Sequence, residues 1–364
     1  MAELSEDPSR TVRAAWDAVI PRATPRPTDE QLAAVRRADA QTAPDDLPYE
    51  LVDRPISPPV PNGWFAIGRS VDVGPGDVRS AIAVQRELVV FRGEDDAVHV
   101  LDAHCPHLGA HLGGGEVLGD TIACPYHGWR YDGDGTCVEI PYNDARIPQR
   151  ACVRSYPVRE LAGMILFWFH AAGAPPSYEV PDFEEGSDPT WSDAFVFEHE
   201  LVASLQEMAE NNVDYTHFFF VHRRTALDES TSVFTTDGPF STVVETFDDE
   251  RLVFTRHTYG PGIALLRVPD LMTVFTATTP IDRRHVRLLW HFHVPVALAD
   301  AAPDIIDGVT GGFGLDADIP IWRDKIHLER PLLVQGDGPI AAFRRWYAQF
   351  YDGRTLDDTN VVRP

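Results

Sequence analysis

The stretch from Cys105 to His127 constrains this chain more than any other part of it. It reads Cys-Pro-His at 105–107 and, after sixteen intervening residues, Cys-Pro-Tyr-His at 124–127. Each half couples one thiolate with one imidazole. Gly128 and Trp129 follow directly, and Gly109, Gly113, Gly114 and Gly115 lie between the halves. Prolines and glycines at these places suit two tight loops that bring four donors to one small centre, with backbone amides close by.

Thiolates are soft donors that suit iron and sulfide, and neutral imidazole raises the potential of such a centre. A [2Fe–2S] cluster held by two Cys on one iron and two His on the other is the Rieske type. The same four donors could hold Zn(II) tetrahedrally. A zinc finger, however, keeps its cysteines together and its histidines together on a short ββα unit. Here Cys and His alternate, and the chain is far longer. Cys105, His107, Cys124 and His127 are therefore the expected ligands of a [2Fe–2S] cluster.

A second constellation runs from Glu210 to His222 and holds Asp214, His217 and His222 beside Phe218, Phe219 and Phe220. Two His and one carboxylate on one face of Fe(II) leave positions open for O2. His217 and His222 are five apart, about 140° round an ideal helix, so a regular helix cannot aim both at one atom. The helix must bend, carry a π-type turn or end between them. Asp214 lies one turn before His217. Further on, Asp316 and Asp318 open a predicted helix, where Asp caps well. One of them could cap while the other binds metal.

The remaining sequence sets the frame. A formal charge of −25 argues against nucleic acid or an anionic membrane as partner. Four cysteines, two of them in the cluster stretch, imply no disulfide framework and fit a reducing compartment. Residues 1–13 lack the apolar core of a secretory signal, and the longest apolar run, 164–169, is too short to span a bilayer. The expectation is a cytoplasmic protein of α+β class in three parts. Residues 1–60 form an arm with nine prolines between 21 and 61 and short helices at 14–20 and 30–38. Residues 61–172 form a small all-β domain. Residues 173–364, starting at a Gly-Ala-Pro-Pro linker, carry strands at 195–202, 242–247, 252–259, 272–278 and 286–295 and helices at 205–213, 319–329 and 339–350.

These motifs, in this order, resemble the Rieske non-haem iron oxygenases, and specifically their large terminal oxygenase component. Asn211 to His222 is similar to that family's Asn-x-x-Asp-x2-His-x4-His pattern, and Asp318-Ile319-Pro320-Ile321-Trp322 to its Asp-x-x-Ile-Trp. The segments 331–333, 336–339 and 344–351 look most like the 3-ketosteroid 9α-hydroxylase oxygenases. The resemblance implies a Rieske β-domain joined to a helix-grip catalytic domain, whose antiparallel sheet is covered by helices. It implies Asp318 as third Fe(II) ligand beside His217 and His222. It further implies a head-to-tail homotrimer in which Asp214 bridges His217 and the neighbour's His127.

With no flavin or nicotinamide motif here, electrons from NAD(P)H would arrive through a separate reductase or ferredoxin. The implied reaction is hydroxylation, by O2, of a bulky hydrophobic, steroid-like or polycyclic substrate. Oxidative demethylation or amine oxidation is the alternative within the family, and pure electron transfer the alternative outside it. Phe218, Phe219, Phe220, Ile263, Leu265, Leu266, Val268 and Leu271 are candidate walls of the substrate pocket, and either Arg256 or Arg267 could face into it.

Overall fold

The computed structural model describes residues 57–223, 232–246, 253–312, 314–334 and 336–351. The two short helices expected at 14–20 and 30–38 lie outside these residues, as do the inner ends of the strands expected at 242–247 and 252–259. The first half is built from short strands separated by turns. They are β1 (Gly63–Arg69), β2 (Val78–Ala83), β3 (Arg86–Arg92), β4 (Val98–Asp102), β5 (Glu116–Leu118), β6 (Thr121–Ala123), β7 (Arg130–Tyr131), β8 (Cys137–Glu139), β9 (Ser155–Tyr156), β10 (Val158–Leu161) and β11 (Met164–Phe169). Three antiparallel sheets result, with strand orders β2-β3-β4-β9, β5-β6-β7-β8 and β1-β11-β10.

The second half contains β12 (Phe195–Val202), α1 (Leu205–Glu210), α2 (Tyr215–Phe220), β13 (Val233–Asp237), β14 (Phe240–Thr246), β15 (Val253–Tyr259), β16 (Ile263–Val268), β17 (Met272–Pro280), β18 (His285–His293), α3 (Ala302–Thr310), α4 (Leu315–Asp324) and α5 (Ile340–Tyr347). Its strands form one seven-stranded antiparallel sheet, β12-β18-β17-β16-β15-β14-β13.

Alternation along these strands sorts side chains onto two faces. Ile263, Leu265, Phe275, Ala277 and Leu289 pack outward against Trp64, Met164, Leu166 and Trp168 of β1 and β11. The intervening residues Leu266, Val274 and Phe292 face inward, in register with one another, and pack with Tyr215 and Phe218 of α2 and Ile305 of α3.

β11 joins the two halves. Its other face, Ile165, Phe167 and Phe169, packs with Leu88, Val90, Val98 and Val100 of β3 and β4. All six residues of β11 are buried, which explains why this run is continuously apolar where most strands alternate. Among the described residues no helix is long and apolar enough to cross a membrane.

One expected helix is displaced. Instead of covering 319–329, α4 starts at Leu315 and stops at Asp324, with Pro320 inside it. Lys325 turns extended at the helix end, and Lys325 and His327 both reach Glu207 of α1. Those ion pairs pull the chain out of the helical path. The cost of Pro320 is the hydrogen bond that the Asp316 carbonyl would otherwise accept.

Candidate active site

The two halves of the Cys105–His127 stretch fold into matching turns. The Gly109 N–H donates to the Cys105 carbonyl and the Gly128 N–H to the Cys124 carbonyl, each at 2.9 Å. The Cys105 N–H donates to the Ala110 carbonyl at 2.9 Å and the Cys124 N–H to the Trp129 carbonyl at 2.8 Å. Gly109 and Gly128 both have positive φ, +77° and +72°, which is the conformation that closes such a turn and that a Cβ disfavours. Both turns read Cys-Pro-x-x-Gly, with His third in one and fourth in the other.

The turns bring the donors together. Cys105 and Cys124 are buried. The rings of His107 and His127 lie 4.7 Å apart between centroids, and His107 stacks on Trp129 at 4.5 Å. His127 Nδ1 is buried and has no hydrogen-bond partner, as expected of an atom whose natural partner is a metal.

The Cys105 sulfur lies 3.1 Å from the Tyr131 hydroxyl. Burial pushes the Tyr131 hydroxyl far up, and its bond to Cys105 adds to this, so Tyr131 keeps its proton and donates. Burial also pushes the Cys105 thiol up, so a free thiolate would be costly there and a bound cation would relieve it.

The second constellation meets at the inner face of the large sheet. Helix α2 ends at Phe220, between His217 and His222, and the two imidazole rings come within 4.8 Å between centroids. One ligand atom from each of His217, His222 and Asp318 lies within 4.8 Å of the other two. His222 Nε2 is 3.4 Å from Asp318 Oδ2.

Neighbouring groups orient these side chains. Asp214 caps α2, its carboxylate accepting from the His217 N–H at 3.2 Å. Its backbone carbonyl contacts His217 Nδ1, which makes Nε2 the ring nitrogen that a metal would take. Asn211 Nδ2 donates to Asp318 Oδ1 at 3.1 Å. Burial pushes Asp318 up to about 7, with the Asp214 charge helping and Asn211 opposing. Burial likewise raises Asp214. A buried carboxylate, Asp318, and a half-buried one, Asp214, beside two imidazoles form a site that a divalent cation would stabilise. The donor set of two His and one carboxylate suits Fe(II).

These residues line a cavity of about 190 Å³. Its walls include Leu205, Met208, Phe218, Leu266, Val274, Trp290 and Trp322, and Ile263, packed in the outer-face core, borders it at the start of β16. Several expected wall residues lie elsewhere. Phe219 and Phe220 are exposed, because successive helical residues turn by about 100° and only Phe218 faces in. Leu265 points to the outer face of the sheet. Val268 and Leu271 belong to the core beyond the cavity. Arg256 faces the cavity, whereas Arg267 is bonded outside it to Glu185 at 2.5 and 3.0 Å.

Asn211 and Trp322 were not assigned roles by the sequence. Trp322 follows Asp318 by four residues, the spacing that puts both on one helix face.

Comparison with known proteins agrees with this geometry. Residues 63–157 match the Rieske [2Fe-2S] domain, and residues 167–351 match the 3-ketosteroid 9alpha-hydroxylase C-terminal domain. The chain is 33% identical over 334 residues to a probable 3-ketosteroid-9-alpha-monooxygenase oxygenase component of Rhodococcus rhodochrous, covering 83% of this chain and 81% of that one. It is also 33% identical over 344 residues to cholesterol 7-desaturase nvd 1 of Ciona intestinalis, covering 84% and 70%. Among solved structures, dicamba monooxygenase bound to dicamba superposes with a TM-score of 0.63 at 19% identity, over 79% of this chain and 96% of that one. With a Rieske domain leading into that C-terminal domain, the chain belongs to the Rieske non-haem iron oxygenases, in the branch of the 3-ketosteroid 9α-hydroxylases.

Proposed function

We propose that this protein is the terminal oxygenase of a Rieske monooxygenase system that hydroxylates a steroid-like substrate. The observation that carries this is the meeting of His217, His222 and Asp318 within 4.8 Å at the wall of a largely apolar cavity. In this reading Cys105, His107, Cys124 and His127 hold the [2Fe–2S] cluster, and His217, His222 and Asp318 hold Fe(II). When bound, the two centres would store an electron and deliver electrons to O2.

The balanced reaction consumes one substrate C–H bond, one O2, two electrons and two protons, and yields one C–OH and one water. The protein supplies placement for this. Asn211 holds Asp318, and Asp214 holds His217 with Nε2 turned to the metal. The apolar walls exclude water from the reacting carbon. Electrons come from NAD(P)H through a separate reductase or ferredoxin. Cys137 and Cys152, the two cysteines outside the cluster, form no disulfide, which suits a reducing, cytoplasmic setting.

A head-to-tail homotrimer belongs to the same proposal. Leu108, Tyr126 and Tyr142, at and near the tips of the cluster turns, are each more than half exposed, an apolar surface that suits a protein neighbour. In the ring, Asp214 would link His217 of one subunit to the cluster histidine His127 of the next.

Reconstituted protein, a NAD(P)H-linked ferredoxin reductase and a steroid panel under isotopically labelled O2 provide the test. The expected product carries one labelled oxygen. Asp318→Ala should keep the cluster's visible spectrum, lose one iron per chain and form no product. Unchanged iron content in Asp318→Ala, or no labelled product from any steroid, would overturn the proposal. The similarity to cholesterol 7-desaturase favours a second reading, desaturation. Its product would be two hydrogens lighter and unlabelled.

A further inference from the structure

The cavity wall contains a cation, Arg256, with one buried nitrogen that makes no hydrogen bond. Arg256 lies on β15 opposite Leu266 and Val243, on the same face as Phe254 and Thr258, which also line the cavity. Its side chain is 18% exposed, and its Nη1 is buried without a hydrogen-bond partner. The carboxylate of Glu245, a residue with no exposed surface, lies 3.8 Å away. That distance balances charge but is too long for a hydrogen bond.

Two other buried side-chain atoms of the wall lack a partner, Trp290 Nε1 and Trp322 Nε1. Both are N–H donors. Among the described residues, no buried side-chain acceptor lining the cavity is left without one. A pure hydrocarbon filling this space would leave the Arg256 Nη1 N–H desolvated and without an acceptor, which is costly. An oxygen acceptor on the ligand would pair it.

We propose that Arg256 determines substrate specificity by donating to an acceptor oxygen, carbonyl or carboxylate, at the substrate end lying over β15. The substrate is then a hydrophobic polycycle oxygenated at one end, with its body lying across β16 and β17. Arg256 thereby sets which carbon meets the metal ligands. This rests on the oxygenase reading above and narrows its substrate class.

Binding, not turnover, tests it, so that failure here is separate from failure of the oxygenase reading. Calorimetry on the holoenzyme would compare three ligands with one polycyclic skeleton, bearing at one end a ketone, a carboxylate or only hydrogen. Wild type should prefer the oxygenated pair. Arg256→Leu should weaken the ketone ligand about 10-fold and the carboxylate about 100-fold, leaving the hydrocarbon unchanged. A loss confined to the ketone or to the carboxylate identifies which acceptor is native. Arg256→Lys should keep part of the carboxylate's affinity, having charge but no fork. If Arg256→Leu fails to fold, Arg256→Leu with Glu245→Gln reads the same ratios. Equal effects on all three ligands, no effect on any, or no wild-type binding of either oxygenated ligand would overturn the proposal.

Discussion

Single side chains do much of the tuning at both candidate centres. Tyr131 donates to the Cys105 sulfur from inside the core. A bond of this kind favours the electron-rich, reduced cluster. Tyr131→Phe should lower the cluster's midpoint potential by tens of millivolts, an order-of-magnitude figure for a hydrogen bond to a charged acceptor. Redox titration followed by EPR would measure it, and an unchanged potential would remove Tyr131 from the account. At this scale the sequence was informative about donors and silent about their supports. Alternation of Cys and His picked out four candidate cluster ligands without any fold. Asn211 was visible beside Asp214, yet its bond to Asp318 spans 107 positions, and nothing local announces such a contact. Arg256 was ambiguous because both faces of β15 are mixed. Phe254, Arg256 and Thr258 alternate with Thr255, His257 and Tyr259, so alternation could not say which face is inside.

The candidate iron site depends on elements that are distant in sequence. Helix α1 leads into Asn211 and α4 carries Asp318, and Glu207 of α1 ties them through the segment after α4. Glu207 meets Lys325 at 2.5 Å and His327 at 2.6 Å. Burial pushes Glu207 up, but His327 and Lys325 outweigh it and hold the carboxylate below its usual range. A carboxylate whose folded value is depressed stabilises the fold above its unfolded value and loses that contribution as pH falls. Glu207→Gln should therefore cost on the order of 2–3 kcal/mol at neutral pH. The difference from wild type should shrink towards zero as pH falls below about 4. Melting curves of both proteins over a pH series would show it, and a gap independent of pH would refute it.

Elements were legible where patterns were long. β12 and the strands at 272–280 and 285–293 follow their apolar spacing closely. Residues 81–92, whose Val, Ile and Phe read in the sequence as a single β run, fold as part of the β2–β3 hairpin. Its turn uses Val84 and Gln85 at φ +52° and +61°, and without Gly or Asn there no turn is visible in the sequence. β13 and α3 were not foreseen either. β13 is a mostly exposed edge strand, and α3 is only nine residues long, with Pro303 in its first turn and Gly308 near its end, residues that read as turn signals.

At the scale of the molecule, β11 is the shared core of both halves. Phe167 is fully buried and packs on Phe65 and Tyr156. Phe167→Ala should cost about 3–5 kcal/mol. Because β11 is packed on both faces, calorimetry should show one transition moving down, not one half melting alone. Two separated transitions in the variant would show that the halves are not coupled through this strand. The same feature governs any attempt to harvest the cluster-bearing part by itself. A cut made in the Gly-Ala-Pro-Pro segment would strip the partner from Met164, Leu166 and Trp168 and leave them as an oily flank in water. Anyone wanting that module as a free electron carrier would have to repaint those three positions with polar side chains first.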